Sequence, residues 1–178
     1  MADALLIIDV QNDFMPPDGA LAVACGDEVI EPINAQARSG SFDLIIATRD
    51  WHPPDHHSFR GKGGPWPEHC VRDTQGAQLD SRLERDAIDL LIDKGTSPGA
   101  PGYSAFESTR LLELLRERGV DQLTLTGLAT DVCVRHTALD ALKAGLQITI
   151  PTSAVRGIDA QDSARALEEL ARAGAEVV

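Results

Sequence analysis

Short apolar segments of strand length alternate along this chain with segments in which apolar residues recur every three or four positions. Five segments are continuously apolar, which is typical of parallel strands buried on both faces; they are residues 4–10, 44–48, 88–93, 122–128 and 147–150. Residues 177–178 offer a sixth strand. The amphipathic segments predict helices at 27–38, 108–118, 131–144 and 163–173, the last three ending at Gly119, Gly145 and Gly174.

This alternation predicts an α/β fold with three layers, α/β/α, around a central and mostly parallel sheet. We find no repeat or linker that would divide the chain, so residues 1–178 should form a single domain. A hydrophobic content of 43% is enough to build its core. Residues 50–78 interrupt the alternation, because they contain four prolines and no periodicity. Loops of this length inside a compact domain are usually functional.

Composition narrows the classes of partner. The net charge of −12 repels nucleic acid and anionic lipid. The chain has no run of 18 apolar residues and no basic stretch near Asp3, so we expect neither a membrane span nor a signal peptide. Three cysteines form no disulfide framework and suit a reducing compartment. We therefore expect a cytoplasmic protein that acts on a small molecule; whether it forms a homo-oligomer stays open.

Polar residues follow several of the predicted strands. Asp9 closes the first strand, Lys94 closes the third, and Cys133 lies just after the fourth. Ligands of open parallel sheets bind beyond the carboxyl ends of the strands. If these strands are neighbours, a carboxylate, an ammonium and a thiol share one crevice, which suffices for covalent amide hydrolysis. The alternative is a turn carboxylate, a solvated lysine and a small core cysteine.

Cys133 lies where a strand runs into a helix, and Thr130 or Asp131 can serve as the N-cap of that helix. A thiol in the first helical turn is close to unpaired backbone N–H groups and to the positive end of the helix dipole. The sequence thus predicts a stabilised thiolate beside a site for a tetrahedral oxyanion. Neither Cys25 nor Cys70 has such a setting.

Four of the five histidines lie in the irregular segment 50–78, and Asp50 precedes the first of them with the spacing Asp-x-His. In extended backbone, residues two apart point to the same side, so Asp50 and His52 can bind one ion. His56 or His57, together with His69, can complete the ligand set. The alternative is a group of solvated loop histidines, but their clustering favours a metal site.

These positions belong to motifs that run in order along nearly the whole chain. The motifs are Asp9 with Gln-Asn-Asp-Phe at 11–14, Arg-Asp-Trp-His-Pro-Pro at 49–54, Trp-Pro-Glu-His-Cys at 66–70, Lys-Gly-Thr at 94–96, Tyr-Ser-Ala-Phe at 103–106 and Gly-Leu-Ala-Thr-Asp-Val-Cys-Val at 127–134. Together they resemble the motifs of nicotinamidases, which belong to the isochorismatase-like superfamily. The combination is specific, although each motif alone would be weak.

The resemblance implies roles for particular residues. Its catalytic triad corresponds to Asp9, Lys94 and Cys133. One divalent metal ion, zinc before iron or manganese, would be bound by Asp50, His52, His56 and His69. The pattern Asp-His-x-Ser-Phe at 55–59 aligns His56, rather than His57, with the family's further histidine.

The resemblance also implies features of the substrate pocket. A cis peptide bond would precede Ala129, so that the N–H groups of Ala129 and Cys133 form the oxyanion hole. Three aromatic residues would sandwich a pyridine ring: Phe14, Trp66 and Tyr103. Cys70 would lie beside the metal without binding it.

The activity that the resemblance implies is hydrolysis of nicotinamide to nicotinic acid and ammonia through a cysteine thioester, with pyrazinamide as a second substrate. Other isochorismatase-like amidohydrolases share counterparts of Asp9 and Lys94 but not the metal set. A metal-hydroxide amidase would not need Cys133. A metal-binding or thiol-sensing module would carry the same residues without turnover.

Overall fold

Seven strands form one sheet in which paired strands run parallel. The computed structural model describes residues 2–178. Its strands are β1 (Ala2–Ile8), β2 (Leu44–Asp50), β3 (Leu90–Lys94), β4 (Val120–Leu128), β5 (Gln147–Ile150), β6 (Val155–Arg156) and β7 (Glu176–Val177). The order across the sheet is β3-β2-β1-β4-β5-β7, and β6 pairs with β4. The predicted α/β fold with a central parallel sheet is therefore confirmed.

Helices cover both faces of the sheet, as the alternating side chains of a strand require. The helices are α1 (Ile30–Arg38), α2 (Leu111–Glu117), α3 (Arg135–Lys143) and α4 (Ala160–Ala173). Leu6 of β1 belongs to an apolar cluster with residues of α2, α3 and α4. Its neighbour Leu5 belongs to a second cluster with Ile33 of α1 and residues of the loop after β2. Three layers result.

Several element boundaries differ from the predicted ones for local reasons. Strand β1 ends at Ile8 because Asp9 adopts a left-handed backbone with a φ of 52°. Helix α3 begins at Arg135 because residues Thr130–Val134 form a wider, π-helical turn. Strand β6 was not predicted, since its two residues form no apolar run. In the described residues, 2–178, no helix combines the length and apolar character that a membrane crossing requires.

The loop between β2 and β3 contains only short helical turns, at Arg60–Lys62 and Arg85–Ala87. Its two halves pair like strands, because His52 N donates to the carbonyl of Cys70 at 3.0 Å and Arg72 N donates to the carbonyl of His52 at 2.9 Å. This pairing brings the residues near His69 back to the end of β2.

Candidate active site

Four neighbouring strands end at the same edge of the sheet, where the predicted chemistry lies. Lys94 ends β3, Asp50 ends β2, Asp9 follows β1, and the turn after β4 carries Cys133. The order β3-β2-β1-β4 therefore meets the condition that the sequence left open. One ligand atom each of Asp9, Asp50 and Cys133 lies within 4.8 Å of the others.

Lys94 lies at the centre of this group, and its side chain is fully buried. Its Nζ is 2.8 Å from Asp9 Oδ2 and 2.6 Å from Asp50 Oδ1, and it donates to the carbonyl of Gly102 at 2.8 Å. Nζ is also 3.5 Å from Cys133 Sγ. Burial alone would lower the pKa of Lys94, but Asp50, Asp9 and Cys133 raise it well above its ordinary value. The lysine is therefore buried among carboxylates that favour its charged form, and it is not the solvated side chain of the alternative interpretation.

Asp9 is also fully buried, and its Oδ1 accepts a hydrogen bond from Thr48 Oγ1 at 2.8 Å. Burial raises the pKa of Asp9 to about 6, although the positive charge of Lys94 opposes the rise. A carboxylate with such a pKa is largely ionised at neutral pH yet basic enough to accept a proton. Asp9 therefore suits the part of a general base.

Cys133 is buried, and its thiol corrects one prediction. Burial raises the pKa of Cys133 well above its ordinary value; the positive charge of Lys94 opposes this rise, and the carboxylates of Asp9 and Asp50 add to it. The resting sulfur is thus a thiol rather than the stabilised thiolate that we expected from the helix terminus. Its proton has to leave as the sulfur attacks, and the carboxylate of Asp9, with an oxygen within 4.8 Å of the sulfur, is the candidate acceptor.

The turn that carries Cys133 is built differently from the predicted N-cap. Neither Thr130 nor Asp131 caps it, and the residue at the cap position, Ala129, makes no side-chain hydrogen bond. The carboxylate of Asp131 instead accepts the N–H groups of Ile158 at 3.0 Å and Asp159 at 2.9 Å. The peptide bond between Leu128 and Ala129 is cis, as the resemblance implied.

A second cluster adjoins the first through Asp50. One ligand atom each of Asp50, His52 and His69 lies within 4.8 Å of the others, and all three residues are buried. His52 Nδ1 bonds to the carbonyl of Gly95 and His69 Nδ1 to that of Pro67, both at 2.8 Å. Backbone acceptors therefore orient both rings and leave Nε2 for an ion. A carboxylate and two imidazoles in a buried group fit a divalent metal.

His56 does not belong to this cluster, and its part as a further ligand stays a prediction. His56 Nδ1 lies 2.7 Å from Ser58 Oγ, and Nε2 lies 2.9 Å from the carbonyl of Ala100. Both ring nitrogens are thus engaged while the ring stacks on His52. Burial lowers the pKa of His56 to about 4, so the ring is neutral. His57 is also not a member, and its Nδ1 bonds to the carbonyl of Pro98.

Two matched substitutions separate the ligand from its neighbour. His69→Asn should lower metal affinity by more than about 100-fold, because it removes one of three ligands, whereas loss of an outer contact costs roughly 10- to 100-fold. His56→Asn should retain affinity within about tenfold, since it removes a stacked ring and its two hydrogen bonds but none of the three ligands. Competition with a chromophoric chelator measures both affinities. Equal losses in the two variants would place His56 in the ligand set after all.

One pocket contains Cys133 together with the metal cluster. The three predicted aromatic residues line it, namely Phe14, Trp66 and Tyr103. Trp66 Nε1 donates to Tyr103 Oη at 3.0 Å, and the ring of Tyr103 stacks on His136. These contacts fix Trp66 and Tyr103 in the wall of this pocket, which we call the slot.

Several lining residues were not predicted from the sequence: Leu21, Val23, Ser58, Pro101, Val132 and Ile158. Most of them are ordinary residues of irregular segments, where the hydrophobic pattern carries no signal. Ser58 had a detectable signal, because it belongs to the Asp-His-x-Ser-Phe pattern.

Sequence comparison shows which known proteins this chain resembles. The model of the isochorismatase domain matches residues 3–178. Nicotinamidase from Escherichia coli (strain K12) is 39% identical over 97% of this chain and 92% of its own length.

Two solved structures have the same fold. Pyrazinamidase of Pyrococcus horikoshii, in complex with zinc, is 47% identical with a TM-score of 0.92 over 100% of this chain and 99% of that one. PnC1 from L. infantum, in complex with nicotinate, is 37% identical with a TM-score of 0.96 over 99% of this chain and 92% of that one.

Proposed function

The chain belongs to the isochorismatase family, and we propose that it hydrolyses nicotinamide to nicotinic acid and ammonia, with pyrazinamide as a second substrate. It is an amidohydrolase, as relatives that match 90–98% of its length indicate. One observation carries the proposal: Cys133, whose sulfur lies 3.5 Å from Lys94 Nζ and within 4.8 Å of a carboxylate oxygen of Asp9, lines the same pocket as Asp50, His52 and His69. A thiol for acyl transfer and a site for a ring nitrogen therefore face one small molecule.

The first step uses the proton of the Cys133 thiol. Asp9 accepts this proton while the sulfur attacks the carboxamide carbon. The ammonium of Lys94, 2.8 Å from Asp9, stabilises the negative charge on both groups. This arrangement explains how a buried thiol with a raised pKa still acts as a nucleophile.

The second step releases ammonia. We assign the backbone N–H groups of Ala129 and Cys133 to the oxyanion of the tetrahedral intermediate. Asp9 then returns its proton to the leaving nitrogen, the C–N bond breaks, and a thioester on Cys133 remains. Water attacks the thioester, its proton returns to the cysteine through Asp9, and nicotinic acid leaves.

We assign the metal cluster to orientation of the substrate. Asp50, His52 and His69 would hold the ion, for which we propose zinc, and it would supply a Lewis-acid contact to the pyridine nitrogen. Phe14, Trp66 and Tyr103 line the slot and would hold the flat ring. The three cysteines, all of them free, support a cytoplasmic location.

Two alternatives remain distinguishable by experiment. Another amidohydrolase of the family would release ammonia from a different amide. A metal-hydroxide amidase would keep its activity after alkylation of Cys133. A coupled ammonia assay over a panel of aromatic carboxamides tests the proposed substrate. Preference for nicotinamide and pyrazinamide supports the proposal, whereas absence of ammonia from both would exclude it.

Asp9, Lys94 and Cys133 should act as one unit in this reaction. Each of Asp9→Asn, Lys94→Gln and Cys133→Ala should lower kcat on the order of 10³-fold or more. Each pairwise double variant should lose no more than about tenfold beyond the worse single one, because a unit that has lost one member has little left to lose. Pre-steady-state ammonia release measures the rates, and circular dichroism checks folding. Additive logarithmic losses would mean that the three residues act separately.

A further inference from the structure

Gln11 lies beneath the site, two residues after Asp9, and has no exposed surface. Its side-chain amide makes three hydrogen bonds with backbone groups. Nε2 donates to the carbonyl of Asp50 at 2.8 Å and to the carbonyl of Ala77 at 2.9 Å. Oε1 accepts the N–H group of Asp50, also at 2.8 Å. One side chain thus binds both backbone polar groups of a residue in the metal cluster.

These contacts fix Asp50 in two directions. The amide bonds the N–H and the carbonyl of the same residue, so the backbone of Asp50 cannot rotate without breaking one of them. The third bond ties this backbone to Ala77, in the loop that carries His69. Gln11 N also donates to the carbonyl of Asp9 at 2.8 Å. The glutamine therefore connects the end of β1, the end of β2 and the loop.

The orientation of Asp50 matters because its two carboxylate oxygens have different partners. Oδ1 lies 2.6 Å from Lys94 Nζ, whereas Oδ2 lies 3.4 Å from His52 Nε2, on the side of the metal cluster. A small rotation of the backbone would move both oxygens and disturb both sets of contacts. Ligand geometry has to hold within about 0.5 Å for a site of this kind to work.

We propose that Gln11 is a positioning residue that sets the metal ligand Asp50 relative to the triad. The inference rests on the proposed function only in taking Asp50, His52 and His69 as the metal ligands. A purely structural role would stabilise the fold without affecting metal affinity. The two roles therefore predict different results for the folded protein.

Gln11→Glu is the informative variant, because it preserves shape but places an acceptor against two carbonyl groups. Asn34 provides a matched control remote from the pocket: it is buried, its Nδ2 donates to the carbonyl of Arg82 at 2.9 Å, and its Oδ1 accepts Glu84 N at 3.0 Å. Asn34→Asp makes the same change from amide to carboxylate, in another side chain that both donates to and accepts from the backbone. If Gln11→Glu does not fold, Gln11→Asn takes its place, because its side chain is shorter by one methylene and cannot make the same hydrogen bonds.

The measurements are zinc affinity by chelator competition, the midpoint of thermal unfolding of the metal-free protein, and the rate at which iodoacetamide labels Cys133. We expect the Gln11 variants to lose at least tenfold in zinc affinity and to raise KM for nicotinamide, with labelling within about threefold of wild type. Asn34→Asp should lower the unfolding midpoint, but its zinc affinity should stay within threefold of the wild-type value.

Two outcomes would overturn the inference. Equal zinc affinity in wild type and the folded Gln11 variants would show that Gln11 only stabilises the fold, while the proposed function stands. Failure of the wild-type protein to bind zinc or another divalent ion would overturn the metal site itself, and the inference with it.

Discussion

Replacing Cys133 with alanine should abolish turnover of nicotinamide, with a loss in kcat on the order of 10³-fold or more, and leave binding of nicotinamide in place. In the proposed mechanism the sulfur forms the acyl intermediate, and no other cysteine lines the pocket in the described residues 2–178. The aromatic slot and the metal cluster remain, so equilibrium dialysis should still detect bound nicotinamide. Cys25→Ala, at an exposed position, should match the wild-type rate.

A Cys133→Ala variant that keeps a tenth of the wild-type rate would contradict covalent catalysis. The metal-hydroxide mechanism would then be favoured, because it needs only the cluster of Asp50, His52 and His69. Mass spectrometry of the wild-type protein quenched during turnover gives a second measurement. It should show an acyl adduct on Cys133 and none on the alanine variant.

Nicotinamide should be preferred over benzamide by about 10⁴-fold or more in kcat/KM. Benzamide has the same flat ring and the same amide but no ring nitrogen, so a metal site built to bind that nitrogen is left without its partner. A site built around a polar group rejects an analogue that lacks it far more strongly than apolar fit does, which rarely exceeds a factor of roughly 200. Parallel ammonia assays on the metal-loaded enzyme measure the ratio.

Chelation serves as the control for this preference. Removal of the metal should erase the discrimination together with most of the activity, because orientation of the ring is lost. Iodoacetamide should still label Cys133 in the metal-free protein, since Asp9 and Lys94 lie on the other side of Asp50 and remain in place. Comparable rates for both amides in the metal-loaded enzyme would contradict the proposed purpose of the metal.

The sequence predicted the triad positions because strand ends are readable from apolar runs. Asp9 and Lys94 each follow such a run, and parallel strands align their ends at one edge. The sequence could not show that these strands are neighbours, because strand order depends on long-range pairing and leaves no local signal. The observed order β3-β2-β1-β4 supplied this information.

Other features of the site depend on contacts that no local pattern encodes. The engagement of His56 depends on the carbonyl of Ala100, and Asp131 binds N–H groups of the segment after β6 rather than its own helix. The raised pKa of Cys133 follows from burial, whereas the sequence showed only its proximity to a helix terminus. In each case the sequence identified the residue, but not the contacts or the burial that determine its behaviour.

The central position of β1 makes the site dependent on nearly all of the chain. Strand β1 pairs with β2 on one side and with β4 on the other, and Thr126 of β4 donates to the carbonyl of Leu6 across 120 positions. Contacts so distant in sequence form slowly, because long loops have to close first. Asp9 and Cys133 therefore meet only when the centre of the sheet closes. During refolding, recovery of amidase activity would report completion of the sheet rather than its early steps.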